Sequence, residues 1–160
     1  MRLLLVRHAI AAPLGGKVTR DADRRLTERG EERFRLVALA LARLVPAPRA
    51  ILTSPLVRAR QTAEIAAQTF GGPRPKIVTA LADGDWDGIR RALGAYRDED
   101  TVVLVGHENW LSDWTARLLA GKSGRAFRYR KGGAALIESD RSLDHAALLW
   151  FIPPRVFRML

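Results

Sequence analysis

The amino-acid sequence predicts an α/β fold, a three-layer α/β/α sandwich around a mostly parallel sheet of about six strands with an antiparallel hairpin at its C-terminal edge. Three observations carry that expectation. Six short, continuous apolar runs recur along the chain, as strands covered on both faces require. The first four runs are each followed by a segment of helical periodicity, the pattern of right-handed crossovers in a parallel sheet. The last two runs are separated by only a short stretch around Ser139 to His145, too little for a crossover helix, so they are expected to pair antiparallel.

The first strand is Leu3 to Val6, ended by the charged pair Arg7-His8. Thr27 is a fitting N-cap for the first helix, whose apolar positions include Phe34, Val37, Leu41 and Leu44 before Pro46 stops it. Ala50 to Leu52 is the second strand. A helix is expected to begin near Pro55, with Leu56, Ala59, Ala63, Ala66 and Phe70 on its apolar face and Gly71-Gly72-Pro73 at its end. The short run Ile77-Val78 is the third strand, and Ile89, Leu93 and Tyr96 mark one face of a third helix. Val102 to Val105 is the fourth strand, followed by a helix carrying Leu111, Trp114, Leu118 and Leu119 and closed by Gly121. Ala134 to Ile137 and Ala146 to Ile152 form the hairpin. The segment Ala11 to Arg25, rich in Gly, Pro and charge, reads as a loop that could cover a site.

A chain of 160 residues that is 48% hydrophobic and 28% charged can bury a proper core, and residues 1–160 are expected to form a single domain. With no cysteine, disulfides, a thiolate nucleophile and a thiolate zinc site are excluded. The apolar run at the N-terminus is too short for a signal peptide, and no run approaches the roughly 20 residues of a membrane helix, so a cytoplasmic protein without membrane partners is expected. The net charge of +10 favours anionic ligands. Its cations are mostly arginine, with lysine only at Lys17, Lys76, Lys122 and Lys131, and they are scattered. No dedicated nucleic-acid site is expected from such a distribution.

Ligands of open parallel sheets bind beyond the carboxyl ends of the strands. Arg7 and His8 follow the first strand, His107 follows the fourth, and Arg58 lies one turn beyond Thr53-Ser54-Pro55 after the second. Three segments thus bring two arginines and two histidines to one sheet edge. Paired guanidinium groups match phosphate oxygens, and a neutral imidazole can attack phosphorus. The neighbouring arginines are expected to hold His8 neutral, and a protonated His107 would donate to a phosphoryl oxygen. Taken alone, a histidine after a strand is more often a hydrogen-bonding residue than a nucleophile, and it is the joint placement that points to phosphoryl chemistry.

Leu5-Val6-Arg7-His8-Ala9, Thr53-Ser54-Pro55-Leu56-Val57-Arg58-Ala59-Arg60-Gln61-Thr62-Ala63 and Val105-Gly106-His107 resemble, in order and spacing, the motifs of the histidine phosphatase superfamily, also called phosphoglycerate-mutase-like. Ala9 where many members carry Gly, the stretch Asp23 to Gly30, and Lys131-Gly132-Gly133-Ala134-Ala135 resemble the small bacterial phosphohistidine phosphatases within it. The resemblance implies that His8 becomes phosphorylated, that Arg7, Arg58 and His107 bind the phosphoryl group, and that neither metal nor other cofactor is needed. It also implies a phosphorylated substrate, with a phosphohistidine-bearing protein domain as the leading partner and a small phosphorylated metabolite as the alternative.

Larger members carry a carboxylic acid after the third strand to protonate the leaving group. Asp83 is the candidate here, although it reads more readily as a capping or turn aspartate ahead of the third helix. After His107 the chain has Glu108-Asn109-Trp110 where relatives often have Asn and Pro, so Glu108 either points away or is the proton donor. Trp86 and Trp110 are either a rim for the substrate or core residues, and His145 is expected at the surface. From a different class, a basic binding module with an inactive pocket is disfavoured by the four intact motif residues.

Overall fold

Leu3, Leu4 and Leu5 are fully shielded from solvent, because the strand that carries them is covered on both faces. The computed structural model describes residues 1–160 apart from Lys17, Arg125 and the side chain of Asn109. The strand β1 (Arg2–Arg7) pairs parallel with β4 (Thr101–Gly106), which pairs parallel with β2 (Ala50–Thr53), and β2 in turn with the short β3 (Lys76–Ile77). On its other side β1 pairs antiparallel with β5 (Ala134–Ser139), and β5 with β6 (Ala146–Ile152). The resulting sheet has the order β3-β2-β4-β1-β5-β6. The predicted mixed sheet and edge hairpin are therefore present.

The alternation of side chains along β1 divides the core in two. Leu4 and Val6 join Val103 and Val105 against Phe34, Val37 and Leu41 of α1 (Glu28–Leu44) and Ala59 and Ala63 of α2 (Val57–Phe70). Leu3 and Leu5 join Val102 and Leu104 against Ile89 and Leu93 of α3 (Trp86–Leu93) and Leu111 and Trp114 of α4 (Glu108–Ala120). The short α5 (Pro154–Phe157) adds Phe157 to the first layer. Each such buried aliphatic side chain contributes about 1.5–3 kcal/mol, so the two layers hold the strand ends firmly. No helix among the described residues is long and apolar enough to cross a membrane.

The helix ends follow the expected chemistry, with one exception. Thr27 Oγ1 accepts from the Gly30 amide at 3.0 Å and starts α1, while Gly71 and Gly121 end α2 and α4 in the left-handed region. Helix α2 starts at Val57, two residues later than its Pro55 suggests. Ser54 Oγ accepts from the Leu56 amide at 3.3 Å, and that local turn occupies Pro55 and Leu56 before the helix begins. The third strand is likewise displaced by one residue, to Lys76–Ile77. Tyr96 lies beyond the end of α3 but is still buried in the same layer.

Candidate active site

Backbone pairing brings the motif segments together. The His8 amide donates to the Gly106 carbonyl at 2.9 Å, and the Ser54 amide to the Val105 carbonyl at 3.1 Å, so β1, β2 and β4 end side by side. The turn before β5 closes the far side, where the Gly132 amide reaches the carbonyls of Arg7 and His8, both at 3.1 Å. Gly132 sits at φ 79°, a left-handed conformation that glycine adopts without a Cβ penalty. These ends enclose a cleft of about 470 Å³ lined by Arg7, His8, Arg58, His107, Asp83 and Glu108, together with Arg24, Ala82, Trp110 and Lys131. All six residues singled out in the sequence face it.

His8 is buried and oriented by its neighbours. Its Nδ1 lies 2.7 Å from the Ala9 carbonyl, which can only accept, so Nδ1 carries the proton and Nε2 the lone pair. Arg58 Nε donates to that lone pair at 3.3 Å. Thr62 Oγ1 accepts from the Ala9 amide at 3.0 Å and donates to the Arg58 carbonyl at 2.7 Å, locking β1's end to α2. The His8 and His107 rings are 5.1 Å apart between centroids. His107 Nε2 lies 2.8 Å from Ser54 Oγ.

Burial, more than charge, sets the histidines. Burial pushes the His8 pKa down to about 3, opposed by the bond to Ala9 and assisted by His107, Arg58 and Arg7. The arginines expected to hold His8 neutral thus come after desolvation. Burial and then Arg58 lower His107 to about 4, so at neutral pH its ring is neutral and bonded to Ser54. Burial also lowers Arg7 and Lys131 from their ordinary values.

The cations have defined partners. Arg7 Nη1 donates to the Tyr129 carbonyl at 2.6 Å and stands 3.9 Å from Glu108 Oε2. Glu108 Oε1 accepts from Ser112 Oγ at 2.9 Å. Arg58 directs its guanidinium at Asp21, with Nη1 on the carbonyl at 2.7 Å and Nη2 on Oδ2 at 2.9 Å, and Arg24 Nη1 takes Oδ1 at 2.9 Å. Arg24, and then Arg58, hold the Asp21 carboxyl below its usual range. Asp21 and Arg24 belong to the loop expected to cover a site, and Arg24 also falls in the Asp23 to Gly30 stretch that carries the resemblance, but sequence reasoning assigns neither a role. The only signal of Asp21 was position in a charged, Gly- and Pro-rich segment before the Thr27 cap.

Asp83 is an exposed turn residue whose Oδ1 accepts from the Asp85 amide at 3.3 Å, yet it still borders the cleft. Trp110 is buried and donates from Nε1 to the Leu81 carbonyl at 3.1 Å, forming floor and not rim. Trp86 packs away from the cleft, on Trp114 at 4.3 Å between ring centroids. His145 is exposed beside Asp140. Among the described residues, no three or more His, Asp or Glu side chains are grouped as metal ligands.

A pair of arginines and a pair of imidazoles around one cavity can bind a tetrahedral oxyanion and attack it with a lone pair. The family described as the histidine phosphatase superfamily (branch 1) matches residues 3–134 in sequence. The chain belongs to the histidine phosphatase superfamily. As a member it is a hydrolase of the phosphatase class. An uncharacterised protein of Picosynechococcus is 39% identical to this histidine phosphatase over 142 residues, covering 83% of this chain and 82% of its own. The solved structure of the protein histidine phosphatase SixA complexed with tungstate is similar, with a TM-score of 0.84 and 25% identity over 98% of this chain and 99% of its own. The alpha-ribazole phosphatase from Shigella flexneri shares the fold, with a TM-score of 0.73 at 21% identity over 96% and 97% of the two chains.

Proposed function

We propose that this histidine phosphatase removes phosphate from phosphohistidine through a phosphorylated His8. The observation that carries the reading is the fixed tautomer of His8, whose Nδ1 proton is committed to the Ala9 carbonyl so that Nε2 presents a lone pair beside Arg58. Nε2 attacks phosphorus, the bond from phosphorus to the substrate imidazole breaks, and that imidazole, already protonated on its other nitrogen, leaves neutral. Arg7 and Arg58 spread the charge of the three equatorial oxygens, with His107 as a third contact. Water then attacks phospho-His8, loses one proton, and releases inorganic phosphate and free His8.

The substrate class follows from leaving-group chemistry. An alkoxide needs a proton donor, worth about 10²- to 10⁴-fold in rate, whereas imidazole leaves with little help. Asp83 is held in a solvent-exposed turn and Glu108 is engaged by Ser112 beside Arg7, an arrangement that suits charge neutralisation of the cleft. Likeness over nearly the full length to a protein histidine phosphatase supports the same substrate class. Because both carboxylates border the cleft, a small phosphate ester with Glu108 or Asp83 as acid is the second reading.

Phosphate release from a phosphohistidine protein and from a panel of esters distinguishes the two. Wild type is expected to prefer phosphohistidine, and His8→Ala to release nothing while retaining phosphate binding. Glu108→Gln and Asp83→Asn are expected to leave phosphohistidine turnover within a few-fold. A loss of about 10²-fold or more on one ester that wild type turns over faster than phosphohistidine would establish the metabolite reading instead.

A further inference from the structure

Next to the phosphoryl cleft lies a second cavity of about 240 Å³, and Lys131 belongs to both. Its floor is apolar, with Phe34 and Val37 of α1 at the bottom and Ile10, two residues beyond His8, on the wall. Its rim carries Arg33, Arg130, Lys131, Arg155 and Arg158, contributed by α1, the turn before β5, and the C-terminal segment with α5. No aspartate or glutamate lines it, and among the described residues none of these five cations has a carboxylate within ion-pair distance. Like charges gathered without counter-ions repel one another and oppose the compact state, so an anionic occupant is strongly complementary.

We infer that this cavity docks an acidic surface segment of the phosphoprotein substrate, with one apolar side chain entering the floor and flanking carboxylates meeting the arginine rim. The inference rests on the phosphohistidine reading and extends it to the residues around the phosphorylated histidine. The shape favours this occupant. Phe34 is only 1% exposed, so the cavity offers no flat ring on which a nucleic-acid base could stack, and the apolar surface open to a protruding side chain comes from Ile10 and Pro154 beside the cations. A second copy of the chain, itself at +10, is repelled by the rim. The shared Lys131 means that a substrate filling both cavities lies across one continuous cationic face, whereas a small ester needs only the cleft. Rim cations act chiefly on encounter rate and selectivity, which makes the effect readable in kcat/KM.

The test compares short phosphohistidine peptides, one with a leucine flanked by aspartates and glutamates and one with lysines in their place, against phosphoramidate as a probe of the cleft alone. Wild type is expected to favour the acidic peptide by about ten-fold at low salt. The double variant Arg33→Ser/Arg155→Ser is expected to lose most of that preference while its phosphoramidate turnover stays within about two-fold, since neither arginine lines the phosphoryl cleft. A preference absent from wild type, one that survives in the variant, or a parallel loss on phosphoramidate would overturn the docking site. Fluorescence anisotropy of the unphosphorylated acidic peptide judges the cavity separately from catalysis. If no phosphohistidine compound is hydrolysed but this peptide binds wild type and not the variant, the substrate reading fails and the acidic docking site stands. If the peptide does not bind, or single-stranded RNA competes for the arginines more tightly, the site is not an acidic-protein dock.

Discussion

Asp21 pairs with two of the arginines that line the cleft, Arg58 and Arg24. Its carboxylate occupies the same guanidinium of Arg58 that the proposed reaction needs for phosphoryl oxygens, so substrate must displace it or share the arginine. Its side chain is half exposed, and an ion pair in such a place is worth about 0.2–1 kcal/mol. Asp21→Asn is accordingly expected to tighten tungstate binding about three- to five-fold by titration calorimetry. Weaker binding in that variant would mean that Asp21 orients Arg58 instead of competing with its ligand. The histidines make a second prediction at this scale. Both have folded pKa values below the ordinary 6.5, near 3 for His8 and 4 for His107, so between those values and 6.5 the unfolded chain binds more protons. Their stabilising contribution is full above about pH 6.5 and is lost as the pH falls toward 4. The melting temperature is expected to drop between about pH 7 and about pH 4.5, with a shallower slope in His8→Asn. An unchanged slope would show that His8 is accessible to protons in the folded state.

At the scale of elements, the position of His107 depends on a tryptophan held between two glycines. A Cβ built on Gly106, the last residue of β4, or on Gly84 would overlap Trp110 of α4. Trp110 thus fixes the step from β4 into α4 at which His107 stands, and its bond to the Leu81 carbonyl ties that step to the segment bearing Asp83. Gly106→Ala is expected to destabilise the protein by about 2 kcal/mol in urea denaturation and to lower phosphohistidine turnover even in the folded fraction. Elements of this kind were largely legible in the sequence. Uninterrupted runs such as Val102 to Val105 declare a doubly covered strand, and the residues at their ends therefore declare a sheet edge. The start of α2 was misplaced because proline suits a first helical turn, while the Ser54 hydroxyl competes locally for the Leu56 amide. Glu108 was legible as a departure from the family pattern, but its bond to Ser112 and its approach to Arg7 were not, since both depend on how the first turn of α4 sits over β1.

Over the whole molecule, the charge of +10 resolves into a local pattern: two adjoining cavities share a cationic rim on one face. Scattering along the chain concealed this, because the arginines of that rim come from α1, the turn before β5 and α5, which only the closed sheet brings together. The same reasoning explains why Asp21 escaped notice, for its reach to Arg58 spans 37 positions and no periodicity encodes it. A ligand bound only by the native state stabilises it by about 2.7 kcal/mol at a hundred times its Kd. Tungstate is therefore expected to raise the melting temperature by about 5 °C in wild type and not in Arg58→Ala. Equal shifts in both would place the oxyanion outside the cleft. The protein also contains its own means of observation. Of its four tryptophans, Trp110 floors the cleft 6.3 Å from Trp114, which stacks near Trp86, while Trp150 packs on Phe157 across the sheet. The emission and near-ultraviolet dichroism of the three clustered indoles are therefore expected to respond to what enters the cleft, against a fourth in the opposite core layer that reports the fold.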